Sequence, residues 1–418
     1  MNDAVGPVDE LRSLARLGFG ELRDATGGIG AVHRALATRA FRMSGAGAGP
    51  ARLLHDTISG GVYAGIRGAT ALAGRAADTA LGRRAVGDGR ALSASPRGAL
   101  VVGVLDGLIG DALEREGSDL QEPMSVRVGG RAVEATPSAV AAAIPDATPR
   151  MVVFVHGLME TEHSWRVGAE EPYAARLRRD LGRSPVELRY NSGRHISENG
   201  RALADLLEEL TEAWPVEVEE IALVGHSMGG LVARSACHAA FERGDEWVDR
   251  VHHVISLGSP HMGAPLAQAV HWASAGLHVL PETRPLASFL RRRSAGIRDL
   301  RQGSLVEADW RGCDPDALRA RACQEVPLLE GATHCFVAAT ITRSPRHPVA
   351  RVLGDCLVLE PSASGRSRAR RISFEVEHGM HLGGTHHLAL LNHPAVYRRM
   401  RDWLGAAERP APAASSVE

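Results

Sequence analysis

The sequence predicts an α/β domain built on a doubly wound, mostly parallel sheet, and three observations carry that expectation. From about residue 150 onward, short apolar runs alternate with helical segments, the pattern of strand–helix–strand crossovers. Met151–Val155 is apolar at all five positions, as a strand covered on both faces requires. With 44% hydrophobic and 23% charged residues, the composition is that of an ordinary globular protein.

The elements follow in order. The 418 residues exceed one average domain, so a large domain with an appendage is expected. Residues 1–98 form a helical N-terminal extension: Val8–Arg23, Ile29–Met43 and Ala51–Arg84 read as helices broken by glycine. In the last of these, Leu53, Leu54, Ile58, Val62 and Ile66 recur at helical spacing. Residues 99–150 are a lead-in, with a helix over Ala99–Arg115 and a hairpin in which Gly129-Gly130 joins Met124–Val128 to Arg131–Ala135. Further strands are expected at Pro185–Tyr190, Ile221–Val224, Val251–Leu257, Cys335–Ile341 and Ile372–Val376. Helices are expected at Glu198–Ala213, Gly229–Glu242 and Pro394–Leu404, the last capped by Asn392. The main domain thus runs 151–406. Its stretch from about 262 to 333 is too long for a simple crossover and reads as an inserted cap with helices at Pro265–Leu277 and Thr283–Arg293. The Ala-, Pro- and Ser-rich tail, 407–418, reads as disordered.

Composition excludes several function classes. The 48 basic and 49 acidic residues nearly cancel, which argues against a nucleic-acid partner. Every basic residue is Arg, so Schiff-base and P-loop lysine chemistry is ruled out. Five Cys with no C-x-x-C pair suit neither a disulfide framework nor a zinc site. His378, His381, His386 and His387 are close in sequence but match no metal spacing, so no metal and no cofactor is expected. The first residues lack an apolar signal segment, and a cytoplasmic location is expected. Residues 1–98 carry 13 Arg against 8 acids; packing on the main domain is the favoured reading, contact with a membrane or lipid surface the other. Arg291–Arg293 and the run Arg366, Arg368, Arg370 and Arg371 read as solvated faces, with an anionic head group as the alternative.

The chemistry is carried by Ile221-Ala-Leu-Val-Gly-His-Ser-Met-Gly-Gly230, where Ser227 centres a G-x-S-x-G between a buried strand and a helix. A strand turning sharply into a helix strains the serine backbone and leaves no room for side chains at 225 and 229. It also places the Ser227 hydroxyl at the sheet's carboxyl edge and backbone N–H groups at a helix start, suited to an oxyanion.

This segment resembles the nucleophile elbow of the α/β-hydrolase superfamily. Tyr190–Gly200 and Leu257–Pro265 look like segments of bacterial lipases and inositol-deacylase-like esterases, and the resemblance covers roughly residues 150–406. It implies an α/β-hydrolase fold and a Ser–acid–His order along the chain. His156-Gly157-Leu158 then resembles the family's second oxyanion segment, making the Leu158 and Met228 N–H groups the expected donors and His156 a positioning residue. Gly383–Leu391 resembles the family's histidine loop, whose His-x-x-Leu-Leu register selects His387 over His386 as base. Gly354–Val358 resembles its acid segment, making Asp355 the first choice over Glu375 and Glu377, with Cys356 where relatives often have Gly. His163 and Trp165 either line an acyl pocket or pack the loop; His195 and His261 read as structural. The implied activity is serine carboxylic ester hydrolysis, of a lipid or other hydrophobic ester. Acyl transfer or thioester cleavage would use the same triad, and a silent scaffold coating a lipid or polymer surface is the alternative of another class.

Overall fold

The computed structural model describes residues 92–264 and 293–405, apart from 318–322 and a few isolated positions, together with parts of 10–75. Eight strands form one sheet: β1 (Ser125–Val128), β2 (Arg131–Val133), β3 (Arg150–Val155), β4 (Ser184–Arg189), β5 (Glu220–His226), β6 (Val251–Leu257), β7 (Thr333–Thr340) and β8 (Gly379–Gly383). Their spatial order is β2-β1-β4-β3-β5-β6-β7-β8. The β1–β2 and β1–β4 pairs are antiparallel and the rest parallel.

The helices are α1 (Pro96–Arg115), α2 (Pro137–Ala143), α3 (Tyr173–Leu181), α4 (Ile196–Ala213), α5 (Met228–Arg243), α6 (Ala295–Asp299), α7 (Pro348–Leu353), α8 (Glu360–Ala363) and α9 (Pro394–Gly405). With both faces covered, the period-two pleat explains the unbroken apolar runs Met151–Val155 and Ile221–Val224 in the central strands. Val153, Val155, Ile221 and Leu223 pack with Leu203 and Leu207 of α4 and Val232 and Ala236 of α5. Val152, Phe154, Ala222 and Val224 face the other way, onto Tyr173 and Leu177 of α3 and Met400 and Trp403 of α9. Each strand residue is therefore core on one side or the other, and the carboxyl ends of β3, β5, β6 and β7 meet in one row.

The hairpin forms where expected, with Gly129 and Gly130 at φ 58° and 81°. Three details differ from the sequence reading. Ile372–Val376 is no strand; the edge strand is β8, seven residues further on, where Gly379 lies so close to Phe336 of β7 that a Cβ would come within 2.5 Å of its ring. Asn392 does not cap α9. Its side chain binds Arg176 and the Glu170 carbonyl, while His393 Nδ1 accepts the Ala395 N–H at 3.1 Å. Arg370 is likewise no solvated charge, since it donates to the His261 and Gln302 carbonyls.

Residues 12–20 are helical, and Ser93 donates to the buried Glu10 carboxylate, tying this segment to the lead-in. The expected helices at 29–43 and 51–84 are described only in scattered residues, and the cap helices and tail fall outside the described residues. Among the described residues no helix is long and apolar enough to cross a membrane.

Candidate active site

Ser227 sits between the end of β5 and the start of α5 with φ 52° and ψ −121°. An L-residue is held there at a cost of about 1–3 kcal/mol. Packing enforces the turn: a Cβ on Gly225 would lie 2.3 Å from the Gly230 nitrogen, and one on Gly229 would lie 2.1 Å from the Val155 carbonyl oxygen. The Ser227 N–H is fixed to the Leu257 carbonyl at 2.8 Å. Met228 opens α5, so its N–H is one of the unpaired donors at a helix start.

His387 arrives from the far end of the chain. Its Nδ1 lies 2.7 Å from Asp355 Oδ2, and both side chains are buried. Asp355 is itself held by the Leu357 and Val358 N–H groups on Oδ1, while its carbonyl accepts the His387 N–H at 2.9 Å. An ionised carboxylate only accepts, so Nδ1 keeps its hydrogen and donates it to Asp355, which leaves Nε2 with a free lone pair. That Nε2 is buried and has no hydrogen-bond partner among the described residues. The imidazole lies over Gly258, where a Cβ would come 3.1 Å from Cε1. Gly258 follows the residue that anchors the Ser227 N–H, so the ring and the Ser227 backbone meet at the same end of β6.

The rival side chains separate. His386, adjacent to His387, is exposed, as are Glu375 and Glu377. The ligand atoms of the latter two and of His378 lie within 4.8 Å of one another, at the surface.

The segment after β3 closes the site. The Glu160 carboxylate binds the Gly157 N–H at 2.8 Å and Ser192 Oγ binds the Met159 N–H at 3.1 Å. The Leu158 N–H between them has no acceptor among the described residues. Met159 has φ 61°. His156 stacks on Tyr190 at 4.2 Å, with Nδ1 on the Gly157 carbonyl and Nε2 accepting the Tyr190 N–H. Burial lowers its pKa to about 4, so it is neutral and positions the loop. Trp165 is fully buried against Phe154 and His226, which makes it loop packing. His195 binds Asp299 at 3.0 Å and stacks on Trp310, and the buried His261 lies beside Arg234; both are structural.

The lead-in contributes a part that sequence reasoning missed. Gly103, Gly107 and Gly110 form a stripe along α1; the first two lie directly on the loop and the third lies against Asn191, just after β4. A Cβ on Gly107 would come 2.3 Å from Met159 Cγ, and one on Gly103 would come 2.9 Å from the Glu160 carbonyl oxygen. The signal was the spacing of four and three residues, which puts small residues on one helix face.

Among the described residues, three that are not glycine have positive φ: Met159, Ser227 and Cys356. Each stands at one station of the site: the loop after β3, the elbow, and the acid segment. Residues 146–275, which include the first two stations, match the family model of the PGAP1-like alpha/beta domain. The fold is that of the α/β-hydrolases. No curated protein matches the chain. The α/β-hydrolase fold here is similar to that of the Bacillus licheniformis lipase BlEst2 in mature form, at 19% identity over 61% of this chain and 91% of that one, with a TM-score of 0.39. It is similar also to Staphylococcus hyicus lipase, at 15% identity over 62% and 95% of the two chains and a TM-score of 0.37. A thioesterase from the prodiginine biosynthetic pathway of Streptomyces coelicolor is 22% identical over 62% and 91%, with a TM-score of 0.31.

Proposed function

We propose that the protein is a serine hydrolase of carboxylic esters. The observation that carries the reading is the buried His387–Asp355 pair, 2.7 Å apart, beside a serine held in a left-handed conformation at a helix start. In this reading Asp355 fixes the imidazole tautomer, and His387 Nε2 takes the Ser227 proton as Oγ attacks the ester carbonyl carbon. The carbonyl π-electrons move to oxygen, where the Leu158 and Met228 N–H groups stabilise the charge. The intermediate collapses as His387 returns the proton to the departing alkoxide, leaving an acyl-serine. Water, deprotonated by His387, then attacks the acyl carbon; the second intermediate breaks its bond to Ser227 Oγ, which takes the proton back from His387, and the acid is released.

A hydrophobic ester suits the surroundings. The helix resting on the oxyanion loop exposes Leu100, Val101, Val104 and Leu108, an apolar patch on the element that covers that loop. The test is labelling of wild type and Ser227→Ala with a fluorophosphonate, followed by a chain-length series of p-nitrophenyl esters. We expect labelling of the wild type alone, turnover rising with acyl length, and a loss of about 10⁶ in kcat for the variant. A wild type that neither labels nor turns over any ester of the series overturns the reading.

A further inference from the structure

Directly beneath the elbow lies a second acid–histidine pair that the mechanism above does not use. Glu160 is nine-tenths buried and His226, the last residue of β5, is completely so. His226 Nδ1 lies 2.8 Å from Glu160 Oε1 and 3.0 Å from Oε2. On the opposite side of the ring, Nε2 faces the His387 carbonyl oxygen at 3.3 Å. The same carboxylate accepts the Gly157 N–H at 2.8 Å. One chain of hydrogen bonds therefore runs from the oxyanion loop through Glu160 to the elbow strand, and through His226 to the backbone of the histidine loop.

We infer that Glu160 and His226 form a charged clamp that holds the oxyanion loop, the elbow and the histidine loop in register, each acting as a positioning residue. The inference rests on the hydrolase reading.

With Glu160 ionised, the donors and acceptors around His226 require the charge. A carbonyl oxygen only accepts, and an ionised carboxylate only accepts, so the ring satisfies both neighbours only when both nitrogens carry hydrogen. Burial alone would oppose that charge on His226. The Glu160 carboxylate, its hydrogen bond, the His387 carbonyl and the more distant Asp355 overcome burial and raise the pKa. The reciprocal holds for Glu160, where burial is outweighed chiefly by His226 and the carboxylate stays below its ordinary range. The groups facing His226 are Glu160 from the loop after β3, the His387 carbonyl and ring, whose centroid is 4.8 Å away, and Asp355 behind it; the fourth neighbour, Trp165, is uncharged. An ion pair sealed from water adds little net stability over apolar packing, whereas its fixed directions define a geometry. Here the three segments so joined carry all the reacting groups.

The experiment compares wild type, Glu160→Gln, Glu160→Ala and His226→Gln in the full-length chain. It uses steady-state kinetics on a short p-nitrophenyl ester, melting temperature, and ¹⁵N NMR of histidine-labelled protein, with His226→Gln supplying the assignment. We expect kcat to fall about a hundredfold in Glu160→Ala and less in Glu160→Gln, which keeps the hydrogen bonds without the charge, with KM little altered in both. In the wild type at pH 7.5 the His226 ring gives the imidazolium signature with both nitrogens protonated, and Glu160→Gln converts it to a neutral tautomer. Unchanged kcat in both folded Glu160 variants overturns the clamp while leaving the hydrolase reading intact, and so does a neutral His226 in the wild type at pH 7.5. Should Glu160→Ala fail to fold, Glu160→Gln and the NMR signature still decide. If no variant and no wild type hydrolyses esters, the functional reading has failed, and the protonation state still judges the clamp.

Discussion

The elbow and the acid loop each hold a non-glycine residue at positive φ, yet they are built differently. Around Ser227 the strain is enforced by crowding: no Cβ fits at Gly225 or Gly229, and the serine backbone is tied to β6. At the acid loop the crowding falls on Gly354, where a Cβ would lie 1.9 Å from the Val358 carbonyl oxygen, while Cys356 has φ 91° with its side chain exposed. The nearby Asp355 is fixed by its own hydrogen bonds to the Leu357 and Val358 N–H groups. The contrast separates a strained backbone that the proposed site needs from one that it merely tolerates. In the hydrolase reading the elbow matters through its conformation, which presents the hydroxyl, and the acid loop through its carboxylate.

Three substitutions sharpen that contrast. The largest effect is expected of Asp355→Asn, which keeps the loop but removes the acceptor that sets the His387 tautomer; kcat on a short ester should fall by about 10⁴ with the melting temperature little changed. Activity near wild type would place the orienting carboxylate elsewhere. Next, Gly225→Ala forces the Gly229–Gly230 backbone away from β5 and should cost about 1–3 kcal/mol in denaturant unfolding, with fluorophosphonate labelling slowed. Were it to unfold and label like wild type, the elbow would not be packed as described. The smallest effect is expected of Cys356→Gly. Glycine adopts positive φ without the Cβ penalty, so the variant should be more stable by about 1 kcal/mol with ester turnover retained. Destabilisation there would mean that the acid loop, too, needs its strained side chain.

The sequence disclosed the site better at some stations than at others, for identifiable reasons. G-x-S-x-G is legible because close packing of strand, turn and helix restricts the glycines locally, within five residues. The resemblance of its loop selected His387 over His386; in the structure it is His387 that is buried and bonded to Asp355, and His386 that is exposed. Glu160 gave no signal beyond an acid three residues after a glycine, because its partners lie at residues 226 and 387. The edge strand was misplaced for a similar reason: Ile372–Val376 has the β-prone residues, but Gly379 is what fits against Phe336. At Asn392 the capping residue by type was claimed by Arg176 and the Glu170 carbonyl, and the neighbouring histidine took over the cap.

By itself, then, the amino-acid order determined the alternation of strands and helices, the hairpin at Gly129-Gly130 and the turn that presents Ser227, since pleat period, turn geometry and steric exclusion act between near neighbours. Only the tertiary structure decided that Asp355 rather than a nearby glutamate meets His387, that α1 lies on the loop after β3 through Gly103 and Gly107, and that Glu160 and His226 join three loops. Those contacts span from tens of residues to more than a hundred, and which buried polar group finds which partner is settled by the sheet order that brings the strand ends together.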